Sequence, residues 1–289
     1  NLENPVELVD NKTWTIDKLI EMTSGLYVDA DQSGDKSEGD QYGFSSSYFH
    51  LDAFYSGSAL RLVEDDESGI LKISDDFYSQ KAIDLADKLG AWFKQGDSYV
   101  SRRGESWDED IPFCEGRCVF IQNRVYMADA QYAGGTGPLR DVDWEFGILP
   151  TPLYDENQEE YITLLGNPIT LWCVMQNAKN PQMSTAVIEC MASEGYRKTS
   201  PMIFEQNMKY RYTPDNAGKG DSARMFDIIR TNINFDLGRI FSDSLSYMSE
   251  MPSDAAANGS SWATIMKQQK VALTRAMNTL NKSLEKIVD

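Results

Sequence analysis

The sequence predicts a globular protein of helices and short strands with about two domains or lobes. Three observations lead there. The chain has 289 residues, ample for a sizeable core. Hydrophobic residues make up 41 % and aromatic residues 11 %, the composition of a globular chain rather than a disordered one. Helical apolar stripes also alternate with short apolar runs bounded by turn residues.

Taken in order, Trp14 to Tyr27 reads as the first helix. Thr15 is its cap, and Ile16, Leu19, Ile20, Thr23 and Leu26 make one face. It leads into twelve residues from Asp29 to Asp40. Oxygen-bearing side chains stand there at loop positions 1, 3, 5, 7, 9 and 12, with Gly34 at position 6. That is the calcium-loop pattern: a hard cation takes six to eight oxygens, so a short loop must fold back on itself, and Gly permits the turn. Asp29, Asp31 and Ser33 would ligate through side chains and Asp35 through its carbonyl. Ser37 would act directly or through water, and Asp40 would close the site. Position 12 is Asp rather than Glu, and the following Tyr42-Gly43-Phe44 reads as strand or turn, so this is an EF-hand-like loop and not an EF-hand domain. A solvated acidic turn is the plainer alternative.

A short helix is expected around Leu51 to Leu62, then a charged turn from Glu64 to Gly69. Ser74 to Lys94 reads as a helix capped by Ser74 or Asp75. Its stripe is Tyr78, Ala82, Leu85, Leu89 and Trp92, and Gly96 ends it. Ser106 to Phe113 reads as a short helix or turn broken by Pro112. A turn at Glu115-Gly116 then leads into a buried strand over Cys118 to Ile121. Tyr126 to Tyr132 reads as a short helix before a glycine cluster at 134–137. That cluster lacks a following Lys-Ser/Thr and a strand-to-helix setting, so it reads as a loop rather than a phosphate cradle. Strands are expected at Trp144–Leu149, Tyr161–Leu165 and Ile169–Met175. Helices are expected from Asn180-Pro181 to about Arg197 and from Ser222 to Thr231. The last helix keeps Trp262, Ile265, Met266, Gln269, Leu273, Ala276, Leu280, Leu284 and Ile287 on one face.

Charge narrows the function classes. With 27 basic and 45 acidic residues the chain carries −18, which argues against nucleic acid and against an anionic membrane surface. No apolar run approaches the ~20 residues of a membrane helix. The start at Asn1 shows no signal peptide, which leaves a cytoplasmic chain or a mature or trimmed one. Cys114 and Cys118 are close enough in sequence to pair, but their apolar setting favours buried free thiols. His50 is the single histidine, so His-pair zinc motifs are excluded. A polar tip on a half-buried aromatic patch accounts for it better than a nucleophile's base. Carboxylates are abundant, yet nothing singles out a glycosidase pair.

Four segments in order carry a resemblance. They are Asn4 to Leu19; Asp29-x-Asp31-x-Ser33-Gly34 running into Asp40 to Phe44; Phe113-x-Glu115-Gly116-Arg117-x-x-Phe120; and Trp144 to Tyr154. Together these resemble family 1 extracellular solute-binding proteins, the receptors of ABC importers for sugars. The resemblance implies a class II periplasmic-binding-protein-like α/β fold, with two lobes closing about a hinge on a ligand. It implies that 1–150 and 205–289 belong mostly to the C-terminal lobe and that 151–204 returns to the N-terminal lobe. It further implies that the opening part of the N-terminal lobe lies outside this sequence. It also implies a non-enzymatic, monomeric receptor at the extracellular face of the membrane, lipid-anchored in the full-length protein or periplasmic, handing its ligand to a permease. Aromatic and amide residues near strand ends and crossovers are the nominees for ligand contact: Tyr55, Trp107, Tyr126, Asn167, Trp172 and Trp262. A calcium-stabilised surface or assembly module is the rival reading, and a glycan-active enzyme a more distant one.

Overall fold

The computed structural model describes residues 3–66, 68–102, 105, 108–128, 137–139, 141–166, 171–202 and 221–288. By its internal contacts the chain divides into two units. The first is Asn1–Arg124, Leu149–Leu165 and Asp227–Asp289; the second is Val125–Ile148 and Gly166–Phe226.

In the first unit, local capping sets the opening helices. Asn4 Oδ1 accepts from the Val6 amide and starts α1 (Pro5–Asp10). Thr15 Oγ1 accepts from the Lys18 amide at 3.2 Å and starts α2 (Ile16–Thr23). That helix stops four residues short of the expected Tyr27. Gly25 turns to φ +72, and the Asp97 carboxylate accepts from the Gly25 and Tyr27 amides, taking them away from any helical partner.

β1 (Tyr42–Ser47) is buried along its whole length. The helix expected over 51–62 is shorter and in two pieces, a 3₁₀ turn at Tyr48–Leu51 and α3 (Asp52–Gly57). The charged turn at 64–69 proves to be the tip of a hairpin, β2 (Val63–Asp65) with β3 (Leu71–Ile73). Asp66 Oδ1 ties its turn by accepting from the Ser68 and Ile70 amides. Ser74 caps a 3₁₀ turn at Asp75–Tyr78, and Ser79 then starts α4 (Gln80–Gln95) afresh. The stripe Ala82, Leu85, Leu89 and Trp92 is buried as its spacing predicts, while Phe77 goes inward in place of Tyr78. Gly96, at φ +91, closes the helix.

β4 (Ser98–Ser101), α5 (Ile111–Cys114) and β5 (Cys118–Gln122) follow. Pro112 sits in the first turn of α5, where its missing N–H costs nothing, and so begins the helix it was expected to break. The three strands form a parallel sheet in the order β4-β1-β5, with Phe44 opposite both Ser98 and Phe120. β5 is an edge strand and only partly buried. Gly43 has no alternative: a Cβ there would stand 2.4 Å from the Thr23 carbonyl oxygen, because α2 ends against the sheet.

The second unit opens with a 3₁₀ turn at Val125–Ala128; the rest of the helix expected to Tyr132, and residues 134–136 of the glycine cluster, lie outside the described residues. Trp144–Leu149 is not a strand, and neither are residues 171–175; 169 and 170 lie outside the described residues. An apolar run becomes a strand only where a neighbour completes its ladder. In the first unit, β6 (Thr163–Leu164) is a two-residue remnant of the strand expected over 161–165. α6 (Pro181–Glu194), capped by Asn180, continues as a π turn over Gly195–Thr199.

α7 (Asp221–Thr231) leads back to the first unit, where β7 (Ile233–Asn234) pairs in parallel with β6. α8 (Leu237–Ile240) and α9 (Met251–Asn258) had no counterpart in the sequence reading. α10 (Trp262–Val288) runs as predicted. Its Trp262, Met266, Leu273, Met277 and Leu280 are buried, and Trp262 meets the Phe77 ring at 4.9 Å. Asn281 reaches the hairpin: its Oδ1 accepts from the Leu71 amide and its Nδ2 donates to the Leu71 carbonyl. No helix among the described residues is long and apolar enough to cross a membrane.

Candidate functional site

The loop from Asp29 to Asp40 folds inward on itself. Gly34 takes φ +81, which lets its amide donate to Asp29 Oδ2 at 3.1 Å. Asp29 Oδ1 is buried and has no donor. The Ser33 amide donates to Asp31 Oδ1 at 2.9 Å, and Ser37 Oγ donates to Asp31 Oδ2 at 2.8 Å. Ser33 Oγ lies 2.9 Å from the Asp35 carbonyl oxygen. Carboxylate oxygens from Asp29, Asp31 and Asp40 fall within 4.8 Å of one another. The side chains at positions 1, 3 and 12 therefore converge, with the Ser33, Asp35 and Ser37 oxygens joined to them or to one another by short contacts. An all-oxygen, strongly anionic donor set of this kind suits a hard cation.

Asp40 holds the loop shut. It is fully buried, and its Oδ1 accepts from the Ala30 amide at 3.0 Å. Its Oδ2 accepts from the Ser37 amide at 3.1 Å and from the Tyr27 hydroxyl at 3.2 Å, while the Tyr42 hydroxyl, which donates to the Ser37 carbonyl at 2.8 Å, stands 3.4 Å away. Both Asp40 oxygens thus already accept from the protein, and Oδ1, with one donor, is the freer of the two for a cation. Arg117 donates to the Glu38 and Asp40 carbonyls, tying the loop to the start of β5. Hydrogen bonds from Ser33, then Ser37, draw the Asp31 carboxyl down to about 2.

Of the residues nominated for ligand contact, the described ones fall two in each unit. Tyr55 is buried, and its hydroxyl donates to the Arg61 carbonyl. Trp262 is fully buried against Phe77. Both are packing residues of the first unit. Tyr126 is half-buried in the second unit, and Trp172, also there, is 65 % exposed. Trp107 and Asn167 lie outside the described residues.

Sequence reasoning missed a buried charge cluster beyond the carboxyl ends of the parallel strands. Asp52 pairs closely with Arg239 Nη1, and Arg124 Nη2 lies 3.4 Å from both Asp52 oxygens. Both guanidiniums lie over the Phe49 ring, at 5.5 and 5.9 Å. Arg239 Nε and Nη2 are buried without a protein partner. Arg239 also lines a small cavity of about 10 Å³ with Tyr55, Ser56 and Ser249.

His50 belongs to this region and is fully buried, not the half-exposed tip expected of it. Its Nδ1 is 3.1 Å from Ser47 Oγ and 3.8 Å from Glu109 Oε1. Ser47 and Glu109 thus face the same ring nitrogen. A nucleophile relay needs one on each nitrogen, so this trio is no Ser-His-acid triad. Burial, then the Arg124 and Arg239 charges, push His50 down to about 3. The unfolded chain protonates it near its ordinary value of about 6.5. A depressed folded pKa makes this contribution complete above 6.5 and progressively lost as the pH falls from there toward 3. Burial raises the Glu109 pKa, so that group works in the opposite sense. The stability gap between wild type and His50→Gln isolates the histidine. By urea unfolding it is expected to be about 2 kcal/mol smaller at pH 5 than at pH 7. An equal gap at both would contradict a neutral buried His50.

The four cysteines are free. Burial raises the Cys114 and Cys118 thiols to about 12, which leaves them protonated and inert, while Cys173 and Cys190 are exposed. Among known protein families and curated proteins, none matches this chain.

Proposed function

We propose that this chain is the solute-binding component of an ABC importer, taking a sugar or oligosaccharide, with calcium held structurally in the loop from Asp29 to Asp40. The observation that carries this reading is how the four resembling segments meet. Trp14 Nε1 donates to the Pro150 carbonyl, the Leu153 amide to the Trp14 carbonyl and the Ile16 amide to the Leu153 carbonyl. The Trp14 and Phe120 rings are 5.5 Å apart, and the Tyr42 amide donates to the Arg117 carbonyl. Segments that lie far apart in sequence therefore form one nucleus, as residues that define a fold do.

Two further features support it. The chain passes between its two units at 124/125, 148/149, 165/166 and 226/227, the kind of threading that lobe closure about a hinge uses. The first unit also offers the carboxyl ends of parallel strands, where α/β sheets take ligands. In this reading the protein is not an enzyme, works at the extracellular face of the membrane and delivers its ligand to a permease. The self-contained cation loop favours a second reading, a calcium-stabilised module without a small ligand.

The test is titration calorimetry of the calcium-loaded chain against a panel of mono- and oligosaccharides. Saturable binding to one sugar class without turnover is expected. Sugar turnover, or no binding across the panel, would sink the receptor reading.

A further inference from the structure

Building on the receptor reading, we propose that the ligand carries a carboxylate and that Arg124, stacked on Phe49, selects it. The location comes from topology. β1 ends at Ser47 and β5 at Gln122, so Phe49 and Arg124 both stand two residues beyond the carboxyl end of a strand in the same parallel sheet.

The chemistry comes from an imbalance of charge. Two guanidiniums, Arg124 and Arg239, face one carboxylate, Asp52. Asp52 is committed to Arg239 and meets Arg124 only at 3.4 Å. Asp236 and Glu109 turn to other partners. Asp236 accepts from the amides of Leu62, Val63 and Gly238. Glu109 accepts from Ser101 Oγ, and burial favours its neutral form. Glu250 adds a negative charge that attracts Arg239. Burial first, and then the positive field of both guanidiniums, disfavours charge on His50.

Such a field is out of character for a chain of net charge −18. Arg239 is nine-tenths buried, with its Nε and Nη2 unpartnered. Arg124 keeps 14 % of its side chain exposed. It is the member of the pair that an incoming group can reach. A guanidinium matches the flat, two-oxygen edge of a carboxylate, and an aromatic ring beneath it fixes its plane. A neutral sugar offers no such charge.

The probes are digalacturonate, its methyl ester, maltotriose and succinate, each titrated calorimetrically into the 289-residue chain at low and at physiological salt. The acid is expected to bind at least about tenfold more tightly than its ester, a margin one charge-assisted contact supplies. In Arg124→Gln that ratio should fall to about one, with the ester's own affinity little changed. Arg124→Lys, which keeps the charge and loses the fork, should fall between, and melting curves report whether each variant is folded. Equal binding of acid and ester by wild type, or an unchanged ratio in both variants, overturns the proposal. Binding of maltotriose but not of digalacturonate overturns it while leaving the receptor reading standing. Binding of succinate and of no sugar upholds the carboxylate and removes the sugar. No binding of any probe by a calcium-stabilised protein removes both.

Discussion

Asp52→Ala is expected to cost about 3–5 kcal/mol, because it strips two guanidiniums of their shared counter-charge and leaves that of Arg239 buried away from water. Asp52 is only 7 % exposed and Arg239 only 9 %, so neither can recover hydration by a small movement. Arg239 already holds two nitrogens without a partner, and losing Asp52 would leave its third in the same state. Against a total stability of about 5–15 kcal/mol such a loss brings a domain near unfolding. Urea unfolding of wild type and variant gives the difference directly. The paired replacement Asp52→Leu with Arg239→Met should restore part of it, since removing both charges also removes the cost of burying them. A single variant within about 1 kcal/mol of wild type would mean that water reaches the cluster.

Calcium is expected to raise the melting temperature of the chelator-treated protein, and Asp29→Ala or Asp31→Ala to abolish that rise. At a hundredfold excess over the dissociation constant the stabilisation is about 2.7 kcal/mol. For a chain of this size that amounts to roughly 4–5 °C. The two aspartates are the informative positions: Asp29 Oδ1 is buried with no donor, and Asp31 lies among the converging oxygens. Asp40→Asn should behave differently. It disturbs the Ala30, Ser37, Tyr27 and Tyr42 contacts, so it should lower the melting temperature even in chelator. Since Asp31 titrates near 2, that ligand stays charged at pH 5 and the calcium response should survive there. An unchanged melting temperature in wild type, or an equal rise in all three variants, would return the loop to an ordinary acidic turn.

The long helices were legible because each carries its signal within itself. α4 and α10 repeat apolar residues over many turns, and the described residues of those stripes are buried or half-buried. The loop was legible for a related reason: its oxygens all come from twelve consecutive residues. Pairing with a distant segment left no such trace. Asp52 and Arg239 are 187 residues apart, and neither sits in a pattern that points to the other. Trp144–Leu149 had the composition of a strand but forms none, a fact of topology rather than of composition. Tyr55 and Trp262 were nominated as aromatics near likely crossovers, but their neighbours Phe54 and Phe77 belong to the same core. Side-chain type told that they were large and apolar, and only the fold tells which face they turn inward.

The contact between Asn281 and Leu71 has a consequence for behaviour in solution. A two-stranded hairpin ordinarily leaves an outer row of amides and carbonyls free to template a strand from another molecule. The side-chain amide of Asn281 offers one donor and one acceptor, as a peptide group does, and it occupies both polar groups of Leu71. The C-terminal helix thereby takes the place at Leu71 that a neighbouring chain would otherwise fill. Loss of that amide, as in Asn281→Leu, leaves the margin open to edge-to-edge aggregation while barely altering the buried core.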